Sequence, residues 1–160
     1  MKATVLPLRG RKSRTEHGGM NVADILTEDL TVRLHVGTRR IFGIDVRLIY
    51  RPGDPYVVQF VFSPLHTRSG QQAVWCVSRD GLFDGMGEGM GLGFGDIQIW
   101  PYTARTTRMA LIGADGEAII DIRTAELRAF LERSSAMVPI GAEHLQYDLE
   151  RELAALLGGL

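Results

Sequence analysis

The sequence predicts an α+β fold. Its centre is an antiparallel β-sheet or barrel-like core of about seven strands, with one short internal helix and two C-terminal helices. Three observations predict it. Seven short runs are β-prone or alternate apolar and polar side chains, with turn residues between them. A serine-started, less β-prone stretch interrupts the runs at residues 78–83. After Thr124, leucines recur at helical instead of strand spacing.

The strands follow in order. Leu30, Val32, Leu34 and Val36 alternate with Thr31, Arg33 and His35, the pattern of a half-buried strand with His35 on its solvated face. Ile44 to Tyr50 is a second strand. Arg51-Pro52-Gly53-Asp54-Pro55 then makes a tight connection, with Pro52-Gly53 at the centre of a type II turn. Tyr56 to Phe62 is almost wholly apolar and reads as a central strand covered on both faces. Gln72 to Val77 is the fourth strand, and its Cys76 is expected to be a buried small residue.

Ser78 caps a short helix that lays Leu82 and Phe83 on the sheet. From Asp84 to Gly95 every second residue is glycine. No dinucleotide or phosphate-loop spacing can arise from that repeat, so it reads as a flexible connector. Met86, Met90, Leu92 and Phe94 alternate with those glycines as an adaptable contact surface. Asp96 to Trp100 is the fifth strand, stopped by Pro101; Arg108 to Ile112 is the sixth. Ala114-Asp115-Gly116-Glu117 is a hairpin turn leading into Ala118 to Ile122.

The end of the chain is helical. Thr124 caps a helix with Leu127, Phe130 and Leu131 on one face. After Val138-Pro139-Ile140-Gly141, Asp148 caps a second helix carrying Leu149, Leu153, Leu156 and Leu157, which ends at Gly158-Gly159. Its leucine stripe, with Leu153 and Leu157 as the candidate contacts, must be buried on its own sheet or on another subunit.

The chain has 160 residues, enough for one domain. Residues 1–19 read as a flexible basic arm and 20–160 as the domain. The arm holds Lys2, Arg9, Arg11, Lys12 and Arg14 against Glu16, a net +4, which leaves 13 basic and 18 acidic residues, a net −5, in the body. One cysteine excludes an internal disulfide. No apolar run reaches the length of a membrane span, and no signal sequence is evident, so a cytoplasmic protein is expected. His17, His35, His66 and His144 lack metal-ligand spacing, and Ser63, Ser69 and Ser78 sit in no nucleophile elbow. No catalytic, cofactor-binding or metal-binding residue is therefore named. Tyr50, Tyr56, Phe60, Phe62, Trp75 and Trp100 on strands, with Arg47, Arg51, Arg105 and Arg108 nearby, define the alternative of a single-stranded nucleic-acid-binding sheet. The acidic body opposes it.

Several pieces share an order and spacing with a known family: Asp54-Pro55-Tyr56; Val74-Trp75 before Ser78-Arg79-Asp80-Gly81-Leu82; Gly95-Asp96-Ile97 with Trp100-Pro101; Gly116-Glu117-Ala118; Leu127 and Phe130-Leu131 with Arg133; Val138-Pro139 with Gly141 and Glu143; and Asp148-Leu149 with Glu152-Leu153. In these the chain resembles the SsgA-like sporulation and cell-division proteins of actinomycetes, from about residue 28 to the end. The resemblance implies a trimeric, bell-shaped β assembly, similar in shape to single-stranded nucleic-acid-binding proteins of the Whirly type. It implies a non-enzymatic adaptor recruited to the division septum, with FtsZ or an SsgA-like paralogue as partner. It implies no cofactor, no small-molecule substrate and no membrane insertion. The basic arm and the long glycine repeat depart from the family pattern.

Overall fold

The computed structural model describes residues 3–5, 24–67, 69–87, 92–114, 116–146 and 149–158. The seven expected strands are all present, and two short ones join them in a single antiparallel sheet. In chain order these are β1 (Ala3–Val5), β2 (Leu26–Val36), β3 (Arg40–Tyr50), β4 (Val57–Phe62), β5 (Ala73–Ser78), β6 (Leu92–Phe94), β7 (Ile97–Thr103), β8 (Thr106–Gly113) and β9 (Gly116–Arg123). The sheet order is β1-β5-β4-β3-β2-β9-β8-β7-β6. The helices are α1 (Arg79–Met86), α2 (Thr124–Met137) and α3 (Leu149–Leu157).

Two antiparallel meanders meet at one seam. β2 and β3 pair along eleven residues, from Leu26↔Tyr50 to Val36↔Arg40. β2 and β9 pair only through Arg33↔Asp121, Leu34↔Ile120 and His35↔Ile119. The two halves of the sheet are joined by this short ladder.

The alternation read in the sequence sets the core. Leu30, Val32, Ile44, Val46, Leu48, Phe60, Ile99, Met109, Ile120 and Ile122 are buried on one face. α1 and α2 lie on that face and bury Leu82, Leu127, Phe130 and Leu131. Each large aliphatic or aromatic side chain fully buried this way contributes roughly 1.5–3 kcal/mol, so these apolar faces are what fix the helices on the sheet.

Several local expectations change. The flexible arm contains a strand: Ala3–Val5 pair with Ala73–Trp75 at the edge of the sheet, and the rest of residues 1–19 lies outside the described residues. The turn at Arg51–Asp54 closes, with Asp54 N donating to Arg51 O at 2.9 Å. Gly53 does not take a positive φ, however, so the turn is not type II. Pro101 does not stop β7. It pairs opposite Thr107 beyond the reach of β6, where its missing N–H leaves no sheet partner unserved, and the register shifts between Pro101 and Thr103. Thr124 does not cap α2; it is the first helical residue, and its hydroxyl meets that of Thr107 at 2.9 Å. Cys76 is half-buried, opposite Gln59, because it lies on the face of β5 away from the main core.

The glycine repeat is divided among elements. Ser78 caps α1 as expected, its Oγ accepting from Gly81 N at 3.1 Å. The helix then runs on to Met86, so Asp84, Gly85 and Met86 belong to it and not to a connector. Gly85 is required by packing. A Cβ at this position would lie 2.5 Å from Ile99 Cγ2 and 2.7 Å from Ile99 Cβ. The absent side chain lets α1 sit directly on β7. Gly95, with φ +57, turns β6 into β7. Residues 88–91, including Met90, lie outside the described residues.

Gly85→Ala is expected to destabilise the fold by about 1–3 kcal/mol, because Ile99 must shift within a full core. Gly53→Ala meets nothing within 4 Å and should stay within about 0.5 kcal/mol of the parent. Urea unfolding of the two variants side by side checks both.

Candidate functional site

Two clusters of charged residues are locked by hydrogen bonds, one buried at the start of α1 and one at the β2–β9 seam. The deeper cluster is built on Arg79, the first residue of α1, which is fully buried. Its Nη1 lies 2.7 Å from Val138 O, 2.9 Å from the Tyr50 hydroxyl and 3.2 Å from Ser134 O, so two hydrogens serve three acceptors. Nη2 donates to Glu143 Oε1 at 2.6 Å. Glu143 Oε2 accepts from Gly141 N at 2.7 Å. Tyr50 donates onward to Pro55 O at 3.2 Å, and its ring centroid is 5.0 Å from the guanidinium carbon. The hydrogen bond from Arg79 holds the Glu143 carboxyl below the usual carboxylate range. Burial pushes the Tyr50 phenol up, against the opposing charge of Arg79, and keeps it a neutral donor. Arg79 Nε is the one buried side-chain polar atom without a partner among the described residues. The cluster ties β3, α1, the end of α2 and the 3₁₀ turn Glu143–Gln146 together. With its acid and base paired to each other inside the protein, it has a structural role.

The second cluster lies at the β2–β9 seam. Arg108 Nε and Nη2 donate to the two oxygens of Asp121 at 2.6 and 2.9 Å. His35 Nε2 is 2.7 Å from Asp121 Oδ2. Tyr102 lies against the Arg108 guanidinium, 3.5 Å from ring centroid to carbon. Burial raises the Asp121 carboxyl, but the hydrogen bonds and charges of Arg108 and His35 outweigh it and hold it below its ordinary value. His35 is therefore not the free, solvated side chain that strand alternation suggests. Beside the cluster, where β2 and β9 part, a cleft of about 510 Å³ is lined by residues including Asp29, Arg33, Asp121, Arg123 and Glu126. Each of its acids is held by a basic side chain: Asp29 by Arg47, Asp121 by Arg108, with a hydrogen bond to His35, and Glu126 by Arg123. Among the described residues no group of three His, Cys, Asp or Glu could hold a metal ion, and no helix is long and apolar enough to cross a membrane.

The six contact residues expected from the sequence separate. Met86 is buried at the end of α1, where it joins the core, and offers no surface to a partner. Met90 lies outside the described residues. Leu92 and Phe94 are strand residues of β6, opposite Ile99 and Ile97. Leu153 and Leu157 are 51% and 65% exposed, with Leu156 between them more exposed still. The structure thus brings together only the α3 leucines. The stacking set for nucleic acid also disperses: Tyr50, Phe60 and Phe62 are in the core, where no base reaches them.

One surface has no counterpart in the sequence reading. The β2–β3 hairpin outruns the core, and Val36, Ile41 and Phe42 are exposed at its end. Phe42 and Val36 continue the same face as buried Val32 and Ile44. The signal was the period of two running back from Ile44 through Phe42.

Residues 44–143 match the family described as Streptomyces sporulation and cell division protein, SsgA. The chain belongs to the SsgA family. It is 33% identical over 132 residues to the sporulation-specific cell division protein SsgB of Streptomyces coelicolor, covering 81% of this chain and 93% of that one. It is 32% identical over 139 residues to SsgB of Frankia casuarinae, covering 85% and 94%. Among solved structures, an SsgB of Streptomyces coelicolor, described in connection with longitudinal cell division during sporulation, superposes with a TM-score of 0.70 at 30% identity over 81% of this chain and all of that one. An SsgA-like sporulation-specific cell division protein of Thermobifida fusca superposes at 0.68, with 26% identity over 86% of this chain and 98% of that one. These relatives support a role in sporulation-linked cell division. Arg79, Tyr50 and Glu143 all lie within the matched region, so the buried cluster is part of the SsgA-family domain.

Two outcomes follow from the clusters. Tyr50→Phe removes the hydroxyl between Arg79 and Pro55 and should cost about 1–2 kcal/mol in urea unfolding, with the secondary structure retained. Asp121 and Glu143 both have folded values below their unfolded ones of roughly 3.9 and 4.3. Their stabilisation is therefore complete above the unfolded values and is lost as pH falls through the folded ones. Urea midpoints should hold on the neutral side and fall below about pH 4. Asp121→Asn should start less stable and lose less on acidification.

Proposed function

We propose that this SsgA-family protein is an oligomeric adaptor in sporulation-specific cell division, acting through its surface and without chemistry of its own. It is recruited to the septum and helps to position or assemble it, with FtsZ or an SsgA-like paralogue as partner. A homotrimer is the assembly that the resemblance to the family implies. The observation that carries the reading is the character of the surface. The acids lining the cleft and the seam are engaged in ion pairs, while a leucine-rich helix and an apolar hairpin end stand uncovered. Large apolar residues left in solvent, rimmed by charge, serve contacts with other proteins. The names of the relatives, all drawn from sporulation-specific cell division, supply the process.

A fluorescent fusion followed through sporulation in the native host should form regularly spaced foci or ladders coincident with FtsZ, and purified protein should retain FtsZ or the paralogue in a pull-down. A diffuse signal through septation would remove the septal role. A signal spread along the nucleoids would replace it with nucleic-acid binding.

A further inference from the structure

Two surfaces of the chain are uncovered, apolar and opposite in charge. The first is the end of the β2–β3 hairpin. Ile41 is 54% and Phe42 48% exposed, and Val36 is exposed beside them. Gly37, at φ +60, turns the chain there. Arg39 and Arg40 follow, both exposed and without an ion-pair partner among the described residues. From Thr31 to Ile44 the sequence contains no acid. The second surface is α3. Leu153, Leu156 and Leu157 face solvent, and the first turn of the helix carries Glu150 and Glu152 against Arg151.

Each surface has what the other lacks. An amphipathic helix needs a face on which to bury its stripe, and the hairpin offers apolar side chains flanked by two free arginines. Among the described residues nothing covers the hairpin end or residues 153–157. We propose that α3 of one copy docks on the β2–β3 hairpin end of the next, its leucines against Val36 and Phe42, which share a face with Arg40, and its acids toward Arg39 and Arg40. The patches differ, so the contact is head-to-tail, and it closes a ring if the rotation between neighbours closes. Every copy then contributes one helix and accepts one. This rests on the oligomeric part of the proposed function and assigns it a surface.

Crosslinking between separate chains tests it. In a Cys76→Ser background, one protein carries Phe42→Cys and another Leu153→Cys. The mixture should oxidise to a disulfide-linked heterodimer, and neither protein alone should do so to the same extent. Charge reversal gives a second readout. Arg39→Glu with Arg40→Glu should weaken assembly by at least about tenfold in sedimentation. Adding Glu150→Lys and Glu152→Lys to the same chain should restore it, because every interface of the ring then pairs opposite charges. Phe42, Leu153, Arg39 and Arg40 are exposed, and circular dichroism checks that each variant folds. An oligomer that forms without the mixed crosslink and ignores both charge reversals would overturn the hairpin–helix contact and leave the oligomeric adaptor standing. Wild-type protein that stays monomeric at tens of micromolar would overturn both.

Discussion

The fold depends on a single buried cation. Arg79 sits where α1 leaves the sheet, with its guanidinium in the protein interior. Burying that charge is costly unless every direction around it is answered. The answers come from parts of the chain far apart in sequence: the Tyr50 hydroxyl, two carbonyls at the end of α2, and Glu143 beyond the Val138-Pro139 break. Each of those groups must be delivered to its place for the rest to be satisfied. The apolar faces of α1 and α2 hold the helices on the sheet without choosing a direction; the arginine selects one arrangement of their ends.

That arrangement bears on what the surface can do. The Val138–Gln146 stretch is anchored through Glu143, whose second oxygen also takes the Gly141 amide. α3 begins three residues after that anchored turn. The helix with the exposed leucines thus follows closely on an anchored turn. With residues 153–158 exposed, it is suited to a contact outside its own chain.

The strands were legible because burial on one face forces a period of two, and the core stripe of α2 was legible for the corresponding helical reason. Ser78 gave the start of α1 correctly, because its hydroxyl has a local job. The errors lie where tertiary partners override local chemistry. Thr124 looks like a cap, but Thr107 takes its hydroxyl. His35 falls on a polar face, yet a neighbouring strand supplies Asp121. Pro101 ends most strands, but here it lies where its missing donor goes unnoticed. The glycine repeat misled most, since periodic glycine suggests slack chain. In fact Gly85 records the closeness of β7, which no sequence window contains. Arg79 could not be singled out either: an arginine near a helix start is ordinary until its burial is known. The exposed stripe of α3 was legible, because its amphipathic pattern is local and exposure was one of its two outcomes.

The short β2–β9 ladder has a mechanical consequence. Five strands lie on one side of it and four on the other, with three residue pairs between them. Arg108, Asp121 and His35 brace that line on one face, and Arg133 of α2 reaches Glu28 of β2 across the other side of the domain. The hairpin end begins just past the last of those pairs. A load applied to the hairpin therefore enters the domain through three residue pairs, and the ion pairs there act as the rivets of that joint between the two meanders.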